Sequence, residues 1–128
     1  MTIAQKALIK NGEKYLMLLR SADQPVGPLQ WDFPGGRQEK DEDLILSLKR
    51  EVKEETNLDI EPGKIVFECE INVAGHDMKF FMYDIEKVTG DLRLSHEHSD
   101  FRWMTIGEMR KEKLFPCVQK FVTIRSIR

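Results

Sequence analysis

Residues 50–58, Arg-Glu-Val-Lys-Glu-Glu-Thr-Asn-Leu, set the carboxylates of Glu51, Glu54 and Glu55 directly behind the guanidinium of Arg50. Carboxylates in that number suit a hard divalent ion such as Mg²⁺ or Mn²⁺, bound through oxygen. They also suit the solvated face of a surface helix, which is what most acidic runs are. Helical phase bears on the choice. With Leu44 at zero and ~100° per residue, Leu48, Val52 and Ile45 fall at ~40°, ~80° and ~100° and form a core stripe. Glu55 falls at ~20° and Glu51 at ~340°, on the leucine side, while Glu54 lies at ~280°, on its border. Lys49 and Lys53 take the far side. Carboxylates turned toward a core repel one another and lose hydration unless a cation neutralises them. Spacing alone leaves both readings open.

Upstream, Trp31-Asp32-Phe33-Pro34-Gly35-Gly36 ends an extended piece in two glycines, which permit tight turning and close approach by a ligand. The interval from Gly36 through Glu42 to Arg50–Leu58 resembles the Nudix box, GX5EX7REUXEEXGU with U aliphatic, over residues 36–58. Every fixed position matches except the late glycine, here Asn57, a residue that tolerates left-handed backbone. The resemblance implies an α/β/α sandwich with a mixed β-sheet between helices. It implies metal-dependent hydrolysis of a nucleoside diphosphate linked to a further group. Glu51, Glu54 and Glu55 would hold Mg²⁺ or Mn²⁺ together with the Gly35 carbonyl, and Glu42 would act through a water on the metal. Arg50 would orient the glutamates by ion pairing. Family members differ in which acid takes the proton from water; Glu54 is the first expectation here and Glu97 the rival, Glu97 being also a further metal ligand.

The Trp-Asp-Phe-Pro-Gly-Gly stretch looks most like members that convert nucleoside triphosphates, oxidised ones included, to monophosphate and pyrophosphate. ADP-ribose, nucleotide sugars and dinucleoside polyphosphates stay open as substrates, as does a non-catalytic nucleotide sensor on the same fold. Arg20, at the end of a strand, is a candidate contact for phosphate or base, and Phe33 a candidate wall of a base pocket. His96 and His98 bracket Glu97 without a third nearby ligand, so they read as exposed loop residues, and His76 as a turn residue.

These groups need a scaffold. The sequence predicts strands at Ile3–Ile9 and Tyr15–Leu19 around an Asn11-Gly12 hairpin turn, a loop over Ser21–Gln30 and a short extended Trp31–Phe33. Pro34-Gly35-Gly36 does not readily continue a regular element. A helix follows from Asp43 to Thr56, ended by Asn57. Ile65–Val73 and Met78–Val88 form a hairpin through Ala74-Gly75-His76-Asp77, Phe101–Met104 is a last strand, and Phe115–Ile127 an amphipathic C-terminal helix. At 128 residues the chain reads as one domain, 1–128, and its net charge of −2 argues against a nucleic-acid polymer as partner. Without an apolar leader or membrane-length run, and with only Cys69 and Cys117 as two buried reduced thiols, the expected location is cytoplasmic. Exposed strand edges leave room for a homodimer.

Overall fold

The computed structural model describes residues 1–126. In chain order the elements are β1 (Thr2–Leu8), β2 (Lys10–Asn11), β3 (Lys14–Arg20), β4 (Trp31–Asp32), β5 (Gly35–Arg37), α1 (Leu44–Thr56), β6 (Asp59–Val73), β7 (His76–Thr89), β8 (His98–Met104), α2 (Ile106–Met109) and α3 (Pro116–Ser126). One sheet runs β5-β1-β7-β6, with β1 and β7 parallel and the other pairs antiparallel. The second runs β2-β3-β4, with β8 paired antiparallel along β3. Of the C-terminal helix expected over Phe115–Ile127, Ile127 lies outside the described residues.

Period-two alternation explains why the sheets are covered on both faces. Ala4 and Leu8 of β1, Tyr15 and Met17 of β3, and Met78, Phe80 and Met82 of β7 pack with Val118, Phe121 and Val122 of α3. Their neighbours Ala7, Leu16, Leu18 and Tyr83 turn the other way, onto Leu48 and Val52 of α1. The result is the expected α/β/α sandwich with a mixed sheet. Leu48 and Val52 are fully buried, which stabilises the α1 contact by roughly 1.5–3 kcal/mol per side chain.

Both ends of α1 are fixed by side chains the sequence supplies. Asp43 is the N-cap and accepts from the Ile45 and Leu46 amides at 3.0 and 3.1 Å. Asn57 closes the helix in the left-handed region, at φ 65°, and its Nδ2 donates to the Asp91 carbonyl at 3.0 Å.

Several boundaries differ from expectation. Gly35–Arg37 does form a strand, paired with β1 through Lys6↔Gly35 and Ala4↔Arg37. Pro34 breaks it from β4, and Gly35, at φ 142°, lets the chain lie against β1; a Cβ there would sit 2.0 Å from the Gln5 carbonyl oxygen. β6 starts at Asp59 rather than Ile65, crossing Pro62 by register shifts that absorb the missing donor. The β6–β7 turn is only Ala74-Gly75, so His76 is not a turn residue but the first residue of β7, paired with Val73. α2 was marked by Thr105-Ile106-Gly107-Glu108, a capping box whose reciprocal bonds both form. Cys117 is buried, while Cys69 is only half-buried; both are free.

Asn57→Ala removes the bond to Asp91 and places an unassisted Cβ in the left-handed region. The expected loss is about 1–2 kcal/mol by urea unfolding, with Asn57→Gly within about 0.5 kcal/mol of the native chain.

Candidate active site

The last turns of α1 carry the acids as their phase requires. Glu55 is 5% exposed, beside Leu48 and Val52, whereas the Glu51 side chain is 18% and the Glu54 side chain 55% exposed. Glu55 Oε1 accepts from the Gly35 amide at 2.9 Å, which joins α1 to β5. Burial raises the Glu55 carboxyl to about 8, against the pull of Lys6 and of the Gly35 amide. Burial also raises Glu51; Arg50 opposes this, and the nearby Glu54 and Glu97 reinforce it. Gly36 makes room for Glu51, since a Cβ at that position would stand 2.6 Å from the Glu51 carboxyl carbon.

Arg50 gathers the acids. Its Nε and Nη2 donate to the two Glu42 oxygens at 2.7 and 2.9 Å, a paired contact. Nη1 donates to Glu51 Oε1 at 3.1 Å and Glu54 Oε1 at 3.2 Å. The Arg50 hydrogen bond holds Glu42 down to about 2. Among the described residues no three carboxylate, imidazole or thiol groups already stand close enough to share one ion. Between Glu51 and Glu54 the positive charge comes instead from Arg50 Nη1. The acids gathered here offer only oxygen, the donor a hard divalent ion takes, and the half-buried Glu51 faces acids at Glu54 and Glu97 that raise its proton affinity.

A cleft of about 510 Å³ opens at this corner, with Gly35, Gly36, Glu51, Glu55 and Glu97 at one end. Glu97 is held in place through the backbone: its carbonyl accepts from the Ser21 amide at 2.9 Å, while Ser21 Oγ donates to the His96 carbonyl. Arg20 also lines the cleft, its Nε donating to the Val26 carbonyl at 3.0 Å and its guanidinium 4.7 Å from the Phe115 ring centre. Glu42 and Glu54 do not line it and connect to it through Arg50.

Phe33 is a correction. It is 1% exposed and packs edge-on against Phe121 at 5.6 Å, so it belongs to the α3-side core and not to the cleft. The cleft aromatics are Phe80 and Phe115, which no local sequence signal marked. His98 is a second correction. It is buried, its Nδ1 has no hydrogen-bond partner among the described residues, and burial lowers it to about 4, so it is a neutral imidazole rather than an exposed loop residue. His96 is exposed as expected.

Sequence reasoning also missed Lys6. It is 5% exposed and pairs with the fully buried Asp32 at 2.9 Å, and Arg20 lies 3.5 Å from the same oxygen. Burial opposes its charge, but Asp32, Cys117 and Glu55 outweigh that and raise its pKa. The signal was available: a lysine at period two between Ala4 and Leu8 occupies an inward register.

Residues 2–123 match the family model of the NUDIX domain. The chain therefore belongs to the Nudix family, whose hydrolases act on phosphoric anhydride bonds. It is 28% identical over 126 residues to the CTP pyrophosphohydrolase of Escherichia coli (strain K12), covering 95% of this chain and 92% of that one. It is 27% identical over 109 residues to the nucleoside triphosphatase NudI of Enterobacter sp. (strain 638), covering 77% of each. The MutT protein from Methanosarcina mazei Go1 superposes with a TM-score of 0.86 at 29% identity, covering 95% of this chain and 90% of that one. Among the described residues no helix is long and apolar enough to cross a membrane.

The buried Glu55 carboxyl gives a pH signature. Its folded pKa, about 8, lies above its usual 4.5, so its contribution to stability is full below 4.5 and lost as pH rises through 8. His98, lowered to about 4, acts in the opposite sense but only below its usual 6.5. Chelator-treated protein is thus expected to lose thermal stability between about pH 6.5, where the opposing His98 effect ends, and about pH 8, and Glu55→Gln to flatten that slope.

Proposed function

We propose that residues 1–128 act as one divalent-metal-dependent pyrophosphohydrolase that converts a nucleoside triphosphate to monophosphate and pyrophosphate. The observation that carries this reading is the half-buried Glu51. It lies against Gly36, faces Glu54 and Glu97, and lines a cleft wide enough for a nucleotide. The names of the two enzymes similar in sequence support a triphosphate over the other diphosphate derivatives.

Glu51, Glu54, Glu55, Glu97 and the Gly35 carbonyl would hold Mg²⁺ or Mn²⁺. When bound, such an ion supplies positive charge against the polyphosphate and acidifies the attacking water. The remaining steps belong to the chain's own groups. Arg50 fixes Glu51 and Glu54 relative to each other and is itself anchored on Glu42, so Glu42 acts by positioning. Arg20 reaches the cleft with its guanidinium held by Val26, where it can meet a phosphate or the base edge. The proton leaving the attacking water goes to a carboxylate. Glu54 is exposed beside the acid end and Glu97 lines the cleft directly, so both are within the architecture that needs a base.

A pyrophosphate-release screen over nucleoside triphosphates, ADP-ribose, nucleotide sugars and dinucleoside polyphosphates tests the reading. Turnover is expected with triphosphates, to vanish with chelator and to return with Mg²⁺ or Mn²⁺. Glu51→Gln is expected to lower kcat by roughly 10²–10⁴-fold without loss of fold. Of Glu54→Gln and Glu97→Gln, the variant that removes the acidic limb of the kcat–pH profile identifies the base. Faster turnover of a non-triphosphate substrate would replace the assignment.

A further inference from the structure

Next to the acids, where Lys6 of β1 stands opposite Gly35 and within the field of Glu55, the cleft takes on a second chemistry. Lys6 reaches it from the α3-facing side of β1, and apolar walls come from Met78, Phe80 and Phe115. The Lys6 ammonium lies 5.6 Å from the Phe115 ring centre and is fixed by Asp32 at 2.9 Å. Among the described residues Asp32 is the one hydrogen-bond acceptor of Nζ. An ammonium carries three hydrogens, so it keeps donor capacity toward the cleft.

Two ligand parts could use that donor. A polyphosphate calls for uncompensated positive charge; Asp32 takes up the Lys6 charge at 2.9 Å, and the surplus of the two cations that share this carboxylate falls to Arg20, 3.5 Å away and more exposed. A flat ring fits better. Aromatic and thioether side chains offer it faces and edges, and a fixed donor offers it one directional contact.

We propose that Lys6 reads the nucleobase, donating to a ring carbonyl oxygen and thereby selecting oxo-bearing bases over adenine; the proposal rests on the nucleotide-hydrolase reading above. Uracil, thymine, cytosine, guanine and hypoxanthine all carry such an oxygen. Adenine presents an amino group instead, whose hydrogens face those of the ammonium. Asp32 acts through Lys6 by holding its position, and Arg20, 3.5 Å from the same Asp32 oxygen, borders the same edge. A site that hydrogen-bonds one polar group discriminates strongly against an analogue lacking it, because its buried donor is then left unpaired.

Inosine triphosphate and ATP differ at the purine 6-position, oxo against amino, and so isolate this contact. The ratio of kcat/KM for inosine triphosphate over ATP is expected to be on the order of tenfold or more in the native chain. It is expected to approach one in Lys6→Met. Because that variant strands a buried Asp32 charge, Lys6→Met/Asp32→Asn, which removes both charges, is measured beside it with a thermal unfolding check. A native ratio near one, or a ratio unchanged in both variants, overturns the proposal. If no triphosphate is turned over, the hydrolase reading fails separately. Calorimetric binding of inosine monophosphate against AMP then decides the role of Lys6: tighter binding of the former, lost in the variants, supports it, and equal binding overturns it.

Discussion

The hydrogen bond from the Gly35 amide to Glu55 is the constraint around which the acid corner is built. It requires α1 and β5 to approach to backbone distance, and that approach admits no side chain at Gly35 or Gly36. On one side Gly35 lies against the Gln5 carbonyl of β1; on the other Gly36 lies against the Glu51 carboxyl. Three elements from different parts of the chain therefore meet where the polar groups are. The apolar half of α1, Leu48 and Val52, supplies the burial that keeps the helix pressed there, and Asp43 and Asn57 fix where it starts and stops.

Electrostatics at this corner are arranged in two tiers. Glu55 is buried and favours its protonated form, while Glu42, its side chain 19% exposed, is held ionised by Arg50. Glu51 lies between them, half-buried, drawn one way by Arg50 and the other by desolvation and by Glu54 and Glu97. The one guanidinium orients Glu42, Glu51 and Glu54 but does not reach Glu55, the most buried acid, whose ionisation calls for a further positive charge. That residual demand for positive charge is what the Nudix chemistry would use.

The acid corner was legible because its information is local. Helix phase, the Asp43 cap and the left-handed tolerance of Asn57 depend on neighbours within a few positions, and the fixed intervals from Gly36 to Leu58 tie the glycines to the helix. The aromatic wall of the cleft was not, since it is assembled by packing across the sheet. Phe33 and Phe115 look alike in sequence; only the course of β4 and of the segment leading into α3 decides which faces the core and which the cleft. His98 seemed to belong to a polar loop, yet pairing of β8 with Arg20 of β3 draws it inside. β5 was hidden because its pairing partner, β1, lies some thirty residues away and its own composition argues against a strand. Lys6 carried an overlooked local sign, a charge in an apolar register, as did α2 in its capping box.

The two ends of the cleft come from opposite faces of the sheet, the acids from the α1 layer and the aromatic walls from the α3 layer. Their cores are correspondingly separate. Substitutions in Phe80, Phe115 or their packing partners on α3 can reshape the pocket while Leu48, Val52 and the glycine corner keep their contacts. On the proposed reading, selection thus has two nearly independent handles, one on reactivity and one on ligand preference. A lineage could then exchange substrates while the acid-bearing helix stays fixed.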